Sequence, residues 1–334
     1  MCMRQFLKTG WLLCGLTLVL AGAAGSVLAA PETVIAPDAP PLEVVEVTGE
    51  RAGPGLWKVA KGANTVFILG TFNPLPRRMT WRSRQVETVL DRASQVIPYR
   101  PDLDASIGPI KAFKMYRQWR RLRRNPDDQT LQQVLPPELF ARFETLRFKY
   151  APGDRSMLEL RPLLAANELS QAAIKSVGLK TDSNVADAVL KLAKKRKVAI
   201  VKLRQRVEDP QGVLADLGNI NAATERACLA ATLARLDADV STLRDRANAW
   251  AIGDVEKLRS QTADEQRASC MAALTSAPRI NEITAEFDKQ WLAAIINAAD
   301  NQQVTLAISP IGRLLQKDGV LAQLAARGYQ VTAP

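Results

Sequence analysis

The chain has 334 residues, is 47% hydrophobic, and carries a formal charge of +11 from 45 basic and 34 acidic residues. That supplies a core for one large domain or two small ones, and the basic surplus favours weak attraction to anionic surfaces without naming a partner. There is no histidine, which excludes Ser-His-Asp and Cys-His triads, HExxH zinc sites and any imidazole proton shuttle; a hydrolase here would need a carboxylate, Lys or Tyr.

Residues 1–30 read as a secretory signal peptide. Arg4 and Lys8 give the charged start, Trp11 to Leu20 is apolar, and Ala21–Ala30 is rich in small residues. An uncleaved membrane anchor is the alternative. Leu12-Leu13 before Cys14 makes a poor lipoprotein site. Cleavage removes two positive charges, so +11 becomes +9. Residues 31–54, rich in proline and acid, read as an extended linker. The expected location is periplasmic or secreted. In an oxidising compartment Cys228 and Cys270, the two cysteines left of four, are a disulfide candidate, with two separate buried thiols as the alternative.

The domain, residues 55–334, opens with strand-like runs at Leu56–Ala60 and Thr65–Leu69 around a turn with Gly62 and Asn64. A helix follows over Arg82–Ala93. Gln95–Tyr99 is the next strand, where Pro98 marks a strand end or an edge. Lys111–Arg124 is the most basic run, with seven Lys or Arg among fourteen residues. Phe113, Tyr116, Trp119 and Leu122 recur through it at intervals of three. The favoured reading is a helix with an apolar inner face and a solvated basic outer face. Contact with an anionic membrane surface is the sharper alternative, and nucleic acid is not expected for an exported chain.

Pro136–Tyr150 and Ser156–Val177 are amphipathic helices, the second ended by Gly178. Asp182 or Ser183 can cap the helix that runs to Lys195. Lys197–Leu203 reads as a strand. Gln211 to Ala299 is helical with breaks near Gly218, Gly253 and Pro278, Gln303–Ser309 is a strand, Leu314–Arg327 a closing helix and Tyr329–Thr332 a last strand. The fold class expected is α/β (α+β), a single mixed sheet flanked by many helices.

One stretch organises the rest. Val66-Phe67-Ile68-Leu69 is a buried strand cut off by Gly70, then Thr71-Phe72-Asn73 and the corner Pro74-Leu75-Pro76. Loops at the ends of buried strands are where such folds place chemistry. Val304–Leu314 repeats the plan: strand, turn, one polar side chain (Arg313), then Leu. Two such turns on neighbouring strands would face one cleft.

These stretches resemble the TraB/GumN family, relatives of the Tiki proteases, over Leu56 to Val331. The residues that match are Leu56-Trp57-Lys58-Val59, Gly62, Asn64-Thr65-Val66 and Gly70-Thr71-Phe72-Asn73-Pro74-Leu75-Pro76. Further matches are Arg161-Pro162, Gly178-Leu179, Trp250–Asp254 and Pro310–Leu321. The resemblance implies a site of two histidines and acidic residues, and metal-dependent peptidase activity in relatives. In this chain Asn73 and Arg313 stand at the histidine positions, while Tyr99 and Ala186 stand where acids are expected. An amide is a weak ligand, a guanidinium repels cations, and a phenol ligates only when ionised. Gly70, Asn73, Tyr99 and Arg313 therefore mark a former active site. No metal or other cofactor is expected, although relatives are implied to hold a divalent metal.

The reading that follows is a catalytically inactive exported protein. It would bind a peptide, protein or envelope ligand through Asn73, Tyr99 and Arg313. A working hydrolase with a relocated site built on Asp102, Asp104 or Asp254 is one alternative. A structural partner in the cell envelope, using Lys111–Arg124, is another.

Overall fold

The structure is a computed structural model that describes residues 54–334, apart from 78–82, 105–106, 182–184, 239–241, 261–264 and 303. The expected leader, most of the linker, and the cap residues Asp182 and Ser183 lie outside the described residues.

The alternating run after the linker folds as a hairpin, β1 (Leu56–Lys61) and β2 (Asn64–Thr71), antiparallel with Leu56 opposite Leu69. The corner after it is not an open loop. Leu75–Pro76 forms a short strand, β3, that later pairs with β6 (Leu179–Lys180). Ser83 caps α1 (Arg84–Leu90) by accepting from the Val86 N–H. Then come β4 (Gln95–Pro98), β5 (Pro101–Asp104), α2 (Pro109–Leu122), α3 (Leu131–Val134) and α4 (Pro137–Tyr150). The expected helix Ser156–Val177 is interrupted by Arg161-Pro162: a single 3-10 turn over Ser156–Glu159 precedes α5 (Pro162–Ser176). Proline tolerates the first turn of a helix but not its middle.

After β6 and α6 (Val185–Lys195), the expected strand Lys197–Leu203 divides. β7 (Ala199–Ile200) joins β4 in the main sheet, and β8 (Leu203–Arg206) leaves to pair with β5. The helical half is α7 (Pro210–Gly218), α8 (Ala222–Ala238), α9 (Thr242–Ile252), α10 (Val255–Ser260), α11 (Glu265–Thr275) and α12 (Pro278–Asn301). Breaks fall where Gly218, Gly253 and Pro278 place them. The chain closes with β9 (Val304–Pro310), α13 (Ile311–Leu314), α14 (Val320–Ala326) and β10 (Gln330–Thr332). The single closing helix expected over Leu314–Arg327 is two pieces. A Cβ at Gly319 would lie 2.7 Å from the Arg313 carbonyl, so the chain turns back there on a residue without one.

The main sheet has six strands in the order β10-β1-β2-β9-β4-β7, antiparallel through β1 and parallel from β2 to β7. This is the mixed α/β architecture expected, with two short two-stranded pairs beside it. Pro98 ends β4, which is an interior strand. β2, β9 and β4 are buried on both faces: Val66, Ile68, Leu69, Val96, Ile97, Leu306 and Ile308 are each at most 2% exposed. Side chains of this size stabilise by roughly 1.5–3 kcal/mol apiece when buried. Phe287, Trp291, Ile295 and Ala299 recur every four residues on α12 and join the same core. A second core of α4, α5 and α8 side chains includes Phe143, Leu169, Leu229 and Leu233. Cys228 on α8 and Cys270 on α11 lie at disulfide distance beside it. No described helix is long and apolar enough to cross a membrane.

The expected burial of the α2 apolar stripe is overturned. Phe113 is 61% and Tyr116 50% exposed, and Trp119 and Leu122 are half-buried. Each residue advances the helix by roughly 100°, so a step of three falls short of a full turn by about 60°. The stripe at 113, 116, 119 and 122 therefore winds from the solvent face to the docked face instead of staying on one side.

Candidate functional site

The two strand-turn units of similar plan are neighbours. β2 and β9 run parallel with Gly70 opposite Ser309 and Thr71 opposite Pro310. β4 flanks β9 on the other side, Pro98 opposite Ile308, and the Tyr99 N–H extends that ladder to the Ile308 carbonyl at 2.7 Å. Three parallel strands thus end at one edge of the sheet, the usual place for a site in open α/β sheets.

Gly70 is fixed by close approach. A Cβ there would lie 2.8 Å from the Trp57 ring and 3.0 Å from the Ile311 Cγ1. Its carbonyl accepts the buried Trp250 indole N–H at 2.6 Å. This bond ties Trp250, in the run Trp250–Asp254, to the strand end.

Tyr99 leaves the end of β4 against α12. Its ring meets Phe287 and Trp291 edge-on, at centroid distances of 4.9 and 5.6 Å. Its hydroxyl donates to Asp288 Oδ1. Arg313, brought in by the turn after β9, lies with its guanidinium 4.6 Å from the Tyr99 ring centroid. Its Nη1 donates to both Asp288 oxygens at 2.7 Å. The three side chains form a closed cluster in which Asp288 accepts from a phenol and a guanidinium. Burial first, and then donation to Asp288, push the Tyr99 phenol well above its ordinary value, against the opposing pull of Arg313.

Asp288 is the residue that sequence reasoning missed. It lies inside a 24-residue helix with no motif around it. The one available signal is its place beside Phe287 on the apolar face of α12.

A cavity of about 180 Å³ opens beside the cluster, lined by Tyr99, Asp288, Trp291, Ser309, Arg313 and Gln323 among others. The Trp291 indole nitrogen is buried without a hydrogen-bond partner among the described residues. Asn73 is exposed on the neighbouring turn, beside a cis Asn73–Pro74 bond, and does not line this cavity. So the structure brings Tyr99 and Arg313 together, sets Gly70 opposite Ser309 on the neighbouring strand, and leaves Asn73 outside the cavity. Ala186 sits in the first turn of α6, packed on the main core.

None of the acids considered for a relocated site lines this cavity. Asp102 and Asp104 are exposed on β5. Asp254 caps α10, its carboxylate accepting the Lys257 N–H at 2.9 Å.

A divalent cation needs converging carboxylates, imidazoles or thiolates. Among the described residues no three His, Cys, Asp or Glu side chains gather in that way. At the strand ends Asp288 is already bonded twice, and Arg313 adds a fixed positive charge to it. The residues present do not fit a divalent metal. Ser309 lines the cavity, and among the described residues its hydroxyl hydrogen-bonds only the Pro310 carbonyl, at 3.4 Å, with no base beside it. What the cavity offers is hydrogen bonding and apolar contact.

No curated protein and no solved structure matches this chain. The model of the TraB/PrgY/gumN family matches residues 55–333, and the chain belongs to that family.

Proposed function

We propose that this member of the family is an exported protein without catalytic activity. Residues 1–30 serve as its leader and 31–54 as its linker, and it binds a peptide, protein or envelope ligand in the cleft at the ends of β2, β9 and β4. The observation that carries this reading is the Tyr99–Asp288–Arg313 cluster. It occupies the site's position with groups that compensate one another, which suits recognition better than bond cleavage.

Beside it, the unpartnered Trp291 N–H is a donor that a ligand carbonyl or carboxylate can satisfy. The Arg313 N–H groups not committed to Asp288 point to the same chemistry. Asn73, exposed on the turn after β2, is the further contact that a ligand longer than the cavity would make.

Calorimetric titration with zinc, manganese and cobalt tests the loss of catalysis: the expected result is no stoichiometric tight binding. Tight binding abolished by Asp288→Ala would overturn the reading. Peptide-array binding weakened by Arg313→Ala tests the ligand site. Peptidase activity lost on chelation and on Asp102→Ala would instead establish a hydrolase with a relocated site.

A further inference from the structure

The α2 helix presents two chemistries on one face. Ala112, Met115, Trp119 and Leu122 are half-buried on its docked side, and Leu122 reaches Gly218 at the end of α7. The opposite face is exposed. Its N-terminal half carries Ile110, Phe113 and Tyr116, which are 74%, 61% and 50% exposed. Its C-terminal half carries Arg117, Arg120 and Arg121, which with Arg124 just past the helix line a cleft of about 970 Å³ shared with Arg161 and Arg226 and with the acids Asp127, Asp128 and Glu225.

Two of those six arginines are engaged. Arg161 pairs with Glu225, and Arg124 with Glu159 and Asp128. The side chains of Arg117, Arg120, Arg121 and Arg226 have no hydrogen bond or ion pair among the described residues. Six arginines against three acids leave the concavity positive, and four guanidiniums without a paired carboxylate favour an anion with several oxygens. Large apolar side chains standing clear of the domain beside them favour an occupant with a hydrocarbon part. A soluble polyanion would use the arginines and leave Ile110 and Phe113 in water.

We propose that this face of α2 docks the domain on a bilayer of anionic phospholipid. Arg117, Arg120 and Arg121 meet lipid phosphates at the cleft, and Ile110 and Phe113 enter the boundary between headgroups and acyl chains. The inference does not rest on any ligand at Tyr99, Asp288 and Arg313, which belong to a different cavity.

Co-sedimentation of the full chain with phosphatidylglycerol–phosphatidylcholine vesicles, against phosphatidylcholine alone, tests it. Residues 1–30 are common to all variants, so differences between variants report α2. Arg120→Glu/Arg121→Glu is expected to weaken binding to the anionic vesicles by roughly 30-fold or more, and to remove the preference over phosphatidylcholine. Ile110→Ser/Phe113→Ser is expected to weaken it roughly ten-fold with the thermal midpoint unchanged, since both positions are exposed. Equal binding to both vesicle types would overturn the proposal. So would anionic binding that the serine variant leaves intact and a soluble polyanion such as heparin competes away, because the partner is then a polyanion and not a bilayer.

Discussion

Arg313 and Asp288 meet through a single guanidinium nitrogen, Nη1, which stands 2.7 Å from both carboxylate oxygens. The side chains are 30% and 41% exposed, so water screens the pair. A double-mutant cycle of Arg313→Ala and Asp288→Ala is expected to give a coupling of about 0.5–1 kcal/mol by denaturant unfolding. A coupling near zero would mean the contact contributes nothing to the shape of the cleft.

Tyr99 provides a reading of the same cluster in alkali. Its phenol is raised by burial and by donation to Asp288. The unfolded chain releases that proton near pH 10, while the folded one retains it. The folded state therefore binds more protons above that pH, and stability is expected to fall as pH climbs past about 10. Absorbance titration of phenolate should show a late component that Tyr99→Phe removes, and the variant's stability should fall less steeply over the same range.

The Trp250–Gly70 bond is a structural pin beneath the site. Trp250→Phe keeps most of the volume but leaves a buried carbonyl without its donor, at an expected cost of about 1–3 kcal/mol. Gly70→Ala pushes a methyl against Trp57 and Ile311 and is expected to cost about 1–3 kcal/mol by overpacking. Both are read from chemical-denaturation midpoints.

Arg161 and Glu225 form a far less exposed ion pair than Arg313 and Asp288. Arg161 donates to the carbonyls of Leu217, Gly218 and Ile220, at 3.0–3.2 Å, and pairs with Glu225. Arg161→Ala strands Glu225 and is expected to cost about 3–5 kcal/mol. Burial already raises the Glu225 carboxyl, with Arg161 opposing it. Without Arg161 the rise is larger, so the variant's stability is expected to fall as pH rises through the carboxylate range and to recover in mild acid. A deficit unchanged by pH would show that the carbonyl contacts, not Glu225, carry the effect.

Cys228 and Cys270 close a span of 42 residues across α8 and α11. Loop-closure entropy puts an unstrained bridge of that length at about 4 kcal/mol. Cys228→Ser/Cys270→Ser and the reduced wild type are expected to lose similar stability. Thiol assay of the oxidised protein should find neither residue reactive.

Much of the architecture was legible because local rules and the global fold agree. The hairpin follows from alternation in Leu56–Ala60, and the convergence of Gly70 and Ser309 follows from two runs built on one plan. What remained hidden depends on three-dimensional neighbours. Asp288 looks like any acid on a long helix until Tyr99 and Arg313 arrive from elsewhere. The α2 stripe misled because a period of three approximates 3.6 over one step and diverges over three. The split of Lys197–Leu203 came from β5, whose acidic sequence gave no strand signal but offered β8 a partner.

The pairing of β2 with β9 also sets an order of events during synthesis. Gly70 and Ser309 are 239 positions apart (309 − 70), yet they lie side by side. As the ribosome delivers the chain, the Val66–Leu69 segment has β1 on one flank and an open row of amides and carbonyls on the other until nearly the whole polypeptide has emerged. Contacts this distant make assembly slow, and an unfinished apolar edge attracts other chains. Truncations that end before Val304 are therefore expected to aggregate through β2.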